Sequence, residues 1–286
     1  MPLLHAISGL FSSLLPKDWI TLTASLAALV VSIISYRQKS NEGRLALRKQ
    51  LTDLIEKLIE VNTKYATFRL KPTDFPASMA GHLNDQRRFL VRQANFLAQH
   101  LETLVSPYEH LVLAGAYDEI NDLIQAESYY QRAIGSSEDP FDKGMATRSF
   151  ARYLFSHAPV RLDEARSHYE ESVECFRGDT DRHVNYVGDT YVRWAKQELE
   201  WNNFGEGTRL LLKALTVFEQ LANPTRKRVE LEKVHEQIRD ILEQDTPELG
   251  HLSTFEDVVS WAQGDMPVTT TKAGPMPDRL SNNDIQ

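Results

Sequence analysis

The chain of 286 residues has one cysteine, Cys175, so no disulfide forms within it and a reducing compartment suits it. It has no glycine-rich phosphate loop, no H-E-x-x-H and no pair of C-x-x-C elements, which leaves nucleotide hydrolysis and zinc chemistry without their usual residues. Its nine histidines are scattered singly, so no metal site and no cofactor are expected. Charge is also missing where it would be informative. Residues 1 to 16 hold no Lys or Arg, and the 18 residues from Trp19 to Tyr36, "WITLTASLAALVVSIISY", hold no charge at all.

As a helix, those 18 residues would cover roughly 27 Å, close to the hydrocarbon thickness of a bilayer. Trp19 and Tyr36 stand at its two ends, where aromatic belts are expected. A cleaved signal peptide would need basic residues before the run and small residues at a cut site after it, and neither is present. The reading is a retained transmembrane helix over 17–37. Arg37, Lys39, Arg44, Arg48 and Lys49 follow it, against Lys17 beside Asp18 before it. The positive-inside bias therefore places the N-terminus outside and the C-terminal bulk in the cytoplasm, with anionic lipid beside the basic cluster. Residues 1–16 read either as an amphipathic segment in the opposite interface or as a disordered terminus.

The remainder divides by charge. Residues 1–106 hold 13 Lys and Arg against 8 Asp and Glu, a net of +5, while 107–286 hold 19 against 32, a net of −13. The acidic portion argues against nucleic acid as a partner. Leu47, Leu51, Leu54, Leu58, Val61, Tyr65 and Phe68 step in fours and threes, as do Leu90, Ala94, Leu97, Leu101 and Leu104. Two heptad stripes separated by "KPTDFPAS" predict an antiparallel helical hairpin over 38–106, with Ser78 opening the second helix. A parallel homodimeric coiled coil is the alternative, which would make the chain a homo-oligomer.

Beyond residue 107 a pattern recurs. His110-x-x-Leu113-Ala114-x-x-Tyr117 is followed by Ala126-x-x-x-Tyr130, Ala133 and Pro140. Phe150, Ala151, Leu154, Ala165, Tyr169 and Ser172 form a second copy, and Tyr191, Trp194, Ala195, Gly207, Leu211 and Ala214 a third. Over about residues 107–222 this resembles the tetratricopeptide repeat, in which small residues sit where two helices cross and aromatics fill the space beside them. The copies are 39 and 42 residues apart, against 34 in the family, and Glu198 stands where a tyrosine is expected.

The resemblance implies an all-α chain: an α-solenoid of about three helix pairs, closed by a capping helix from Arg226 and spanning 107–247. In that helix Val229, Leu231, Val234, Ile238, Ile241 and Leu242 are expected on one side. Residues 248–286 read as a short helix over 253–263 and a disordered tail. The resemblance also implies a peptide-binding groove lined by the first helices, on which Arg148, Arg152 and Lys196 would face a protein or peptide partner, an acidic one by charge.

The expected function is therefore a membrane-anchored adaptor without enzymatic activity. Two alternatives stand beside it. "RYLFSH", Arg152 to His157, resembles the R-x4-6-H element of HEPN ribonucleases, as does Arg177 with His183, which would make the chain an enzyme acting on RNA. The other alternative is a purely structural, self-assembling membrane protein.

Overall fold

The structure, a computed structural model, describes residues 16–71, 76, 78–101 and 104–243; for 16–31, 33–40 and 242–243 only the backbone is described. Among the described residues the chain is all-α. Its helices are α1 (Pro16–Leu70), α2 (Met79–Leu101), α3 (Pro107–Glu119), α4 (Leu123–Ser136), α5 (Pro140–His157), α6 (Leu162–Cys175), α7 (Asp181–Glu200), α8 (Phe204–Phe218) and α9 (Pro224–Glu243), with a 3-10 turn at Pro159–Arg161. They form two compact units that divide between Val105 and Ser106.

In the first unit α1 runs unbroken for 55 residues, a rod of about 82 Å. Its C-terminal part packs on α2. Of the expected stripes Leu51, Leu58, Val61, Leu90, Ala94, Leu97 and Leu101 are buried, whereas Leu47, Leu54, Tyr65 and Phe68 are only half-buried, and Ile55 and Leu83, which lie off the stripes, join the core. The predicted seam fails at its end, because Leu104 is 42% exposed and Val105 is buried instead. The physical reason is that α2 stops at Leu101, so the heptad rhythm has no helical face to follow beyond it.

The stripe also contains a charge that the apolar pattern hid. Arg87 is buried three residues before Leu90, its Nε donates to Asn62 Oδ1 at 2.7 Å, and its guanidinium lies 4.4 Å from the Tyr65 ring. These contacts join the end of α1 to the start of α2 and set the pair antiparallel. Ser78 precedes α2, and its carbonyl accepts from the His82 N–H at 3.2 Å.

No helix is long and apolar enough to cross a membrane among the residues searched, which are the described ones. The expected anchor, with Trp19, Tyr36, Arg37 and Lys39, has its side chains outside them save that of Ser32, although its backbone is helical within α1. Residues 1–15 and the segments expected over 248–286 also lie outside the described residues.

The second unit packs its helices in sequential pairs, α3 with α4, α5 with α6 and α7 with α8, and α9 lies on α8. Its boundaries are written locally. Ser106 and Glu109 form a capping box ahead of α3, with the Glu109 carboxylate accepting from the Ser106 N–H at 2.9 Å. Asp139 accepts from the N–H groups of Phe141 and Asp142, with Pro140 in the first turn of α5.

The turns within the first and third pairs are alike. Asn121 and Asn202 both take left-handed backbone, φ 62° and 58°, and the residue after each donates five positions back, Asp122 to Tyr117 and Asn203 to Glu198. The second pair inserts the 3-10 turn instead, which lengthens the first spacing. α7 has 20 residues where α3 has 13, which lengthens the second.

Within the pairs, Ala114, Ala126, Ala133, Ala151, Ala165, Ala195 and Ala214 are fully buried, with Tyr130, Tyr169 and Trp194 beside them. Small side chains let axes approach while the aromatics fill the flanks. The approach is closest at Gly188 on α7, where an added Cβ would meet the Phe218 ring of α8, and is also tight at Gly207, where one would sit 2.7 Å from the Leu199 side chain.

On α9, Val234, Ile238 and Ile241 are buried as expected, but Val229 is 39% exposed and Leu231 only half-buried. The grouping was too wide. Val229 lies about 140° round the helix from Val234, and a helix covering a single neighbour buries a narrower stripe than that.

Candidate functional site

The first helices of consecutive pairs touch one another, α3 with α5 and α5 with α7, and the predicted cations fall along these junctions. Arg148 on α5 is largely covered. Its Nη1 donates to Asp189 Oδ2 on α7 at 2.8 Å and to Thr190 Oγ1 at 3.3 Å, and its guanidinium lies within 6 Å of the Phe176 and Tyr186 rings. Burial pulls its pKa below the ordinary arginine value, and Asp189 opposes the shift. Arg148 is thus a strut between α5 and α7, where the sequence suggested a charge offered to solvent. Asp189 also accepts from Arg193 Nε at 2.8 Å, one turn along α7.

Arg152 is 54% exposed. Its guanidinium lies 4.0 Å from Asp118 on α3 and bonds the hydroxyl of Tyr130 on α4, whose pKa burial pushes up to about 12. His157 Nε2 bonds the other oxygen of the same Asp118 at 2.7 Å. The two residues of the Arg152/His157 element therefore share one carboxylate, which ties α5 to α3. Arg177 and His183 share nothing of the kind: Arg177 pairs with Glu174, and His183 bonds the Thr180 hydroxyl. Lys196 is exposed on α7, with no hydrogen bond or ion pair among the described residues.

Compared with family models, curated proteins and solved structures, the chain matches none.

Several of the polar residues were invisible to motif reading. Asp118 has no sequence signal beyond its place one residue after Tyr117, and it meets His157 only because α3 and α5 pack together. Glu198, where a tyrosine was expected, is fully buried. It accepts from Arg166 Nε at 2.8 Å and Nη2 at 3.0 Å, from Trp194 Nε1 at 2.9 Å and from Asn203 Nδ2 at 2.8 Å. It thereby holds α6, α7 and the turn before α8 together. Four-residue spacing on α7 is what brings Asp189 and Arg193 together.

Among the described residues no group of three His, Cys, Asp or Glu could hold a metal ion. Cys175 is half-buried, and burial pushes its thiol pKa up, away from the reactive thiolate form. What the arrangement offers is cations of graded exposure along α5 and α7.

Proposed function

We propose that the chain is a membrane-anchored adaptor that holds a protein partner at the cytoplasmic face through the first helices of a tetratricopeptide-like stack. The observation that carries this reading is the presence of exposed Arg152 and Lys196 on adjacent first helices of sequential helix pairs. Stacked pairs of this kind curve and offer a continuous face to extended peptides. The uncharged run from Trp19 to Tyr36, followed by five basic residues, supports an anchor with the C-terminal bulk inside.

The test is capture of a partner by the full-length chain in native membranes, compared with the Arg152→Glu, Lys196→Glu chain at equal expression and equal melting temperature. Loss of the partner is expected; unchanged capture would reject the face. Reporters fused to each end test the orientation, and a cytoplasmic N-terminus with an external C-terminus would reject it.

The ribonuclease alternative draws its support from Asp118, which orients His157 beside Arg152 as a carboxylate orients a general base. RNA cleavage by the purified chain, lost in Arg152→Ala, His157→Ala, would favour it over the adaptor.

A further inference from the structure

The heptad seam of the first unit is used up inside the hairpin, where Leu51, Leu58, Leu90, Ala94 and Leu97 are buried between α1 and α2. A second apolar line stands outside it. Phe89 and Phe96 are seven residues apart on α2, hence on one side of the helix, and they are 61% and 59% exposed. They line a groove of about 580 Å³, to which α2 adds Leu97 and Arg92 and α1 adds Leu54, Asp53 and Lys57. Leu97 is buried and Leu54 half-buried, whereas the three charged residues are exposed. The aliphatic side chains therefore lie deeper than the rings, and the charges form the rim.

This face has both halves of a self-fitting surface. The exposed rings project, the groove beside them is the recess that such rings fill, and an isologous two-fold contact sets each against the other. The charges agree. Asp53, Lys57 and Arg92 have no hydrogen bond or ion pair among the described residues, and both signs are present.

The bond from Arg87 to Asn62 fixes the register of the antiparallel helices. Arg92, five residues after Arg87, is thus level with Lys57, five before Asn62, and Asp53 is one turn from that level, about 6 Å. With the two-fold axis along the helices, equal levels of two copies meet, and Asp53 of each comes within a turn of Arg92 of the other. Lys57 keeps its ammonium in solvent at the rim, as a long side chain can. Area is of the right order: covering four rings at these exposures removes roughly 500 Å². That is close to a third of a standard interface of about 1,600 Å², before the groove walls are counted.

We propose that this groove is the contact between two copies of the chain. Phe89 and Phe96 of each copy pack over Leu54 and Leu97 of the other, Asp53 pairs with Arg92 across the contact, and the two hairpins form a four-helix bundle. The parallel coiled coil expected as an alternative would need the seam that the hairpin already fills. Nothing in this contact depends on the face of the second unit, so either can fail alone.

The test is sedimentation equilibrium of the full-length chain in density-matched detergent, over a series of chain concentrations. Two copies are expected, and Phe89→Gln, Phe96→Gln should raise the dimer Kd at least about 100-fold, as loss of central aromatic anchors does. Asp53→Arg and Arg92→Asp should each weaken the dimer by about 10-fold, and the two together should restore it to within about 3-fold of wild type. All four positions are exposed, so the variants keep the hairpin, and an unchanged circular dichroism spectrum verifies this.

A chain that stays monomeric at every concentration overturns the proposal and leaves the groove to another protein or to lipid. A dimer indifferent to Phe89→Gln, Phe96→Gln overturns it too, because the contact then lies elsewhere. So does a mass that climbs past two copies, which contradicts two-fold closure, or a combined charge swap weaker than either single reversal.

Discussion

Replacing Glu198 by Gln removes one charge from a site with no solvent access and changes almost no volume. In the wild type two carboxylate oxygens accept four hydrogen bonds, two of them from the Arg166 guanidinium. The amide keeps one acceptor oxygen and turns an NH2 group toward the N–H donors of Arg166 or Asn203. Breaking a fully buried ion pair costs about 3–5 kcal/mol. Here the cost is smaller, about 2–4 kcal/mol, because Arg166 is one-third exposed and retains Asp163 at 2.9 Å. For a unit of this size that corresponds to a fall in melting temperature of roughly 7–14 °C, or a lower urea midpoint at unchanged slope.

The pH dependence identifies the cause. Burial pushes the Glu198 pKa up, but the bonds from Arg166, Trp194 and Asn203 outweigh it and hold the group below its ordinary 4.5. A depressed folded pKa means that the stabilisation is complete above 4.5 and is lost as pH falls through the lower folded value. The gap between wild type and Glu198→Gln should therefore be full at pH 7 and shrink below pH 4.5. A difference under about 0.5 kcal/mol at pH 7, within the ordinary range for surface substitutions, or a difference that does not change with pH, would refute the reasoning.

Arg87→Ala should destabilise the hairpin by about 2–4 kcal/mol, while Arg87→Met should cost far less, because a buried charge replaced by an apolar chain of similar volume is often neutral; chemical denaturation of both variants checks this. Asn121→Gly and Asn202→Gly should each be neutral or stabilising, and the corresponding alanines should cost about 1 kcal/mol, since only glycine enters left-handed backbone without a Cβ penalty. Thermal unfolding that ranks alanine above glycine would contradict the turn geometry. Asp118→Asn should cost about 1–2 kcal/mol by loosening both His157 and Arg152, and faster amide exchange is expected along the facing parts of α3 and α5.

Helix starts are local because caps act over three or four residues: Ser106, Asp139 and Thr180 each accept N–H groups just ahead of them in the chain. Leu104 was misplaced because a period says nothing about where its helix ends. Arg148, Arg152 and Lys196 looked alike as charges on one register, yet the fold gives Arg148 to Asp189, Arg152 to Asp118 and Tyr130, and leaves only Lys196 without such a bond.

By itself the sequence determined the helical class, the heptad stripes on α1 and α2 and the small and bulky alternation of the second unit. These follow from side-chain periodicity, which is a property of neighbours three and four apart. Only tertiary structure decided that Glu198 would be buried among four donors, that His157 would meet a carboxylate 39 residues away, and that the Tyr169 hydroxyl would be left without a partner. Such outcomes depend on which groups two packed helices bring within hydrogen-bonding distance, and no spacing along one helix contains that information.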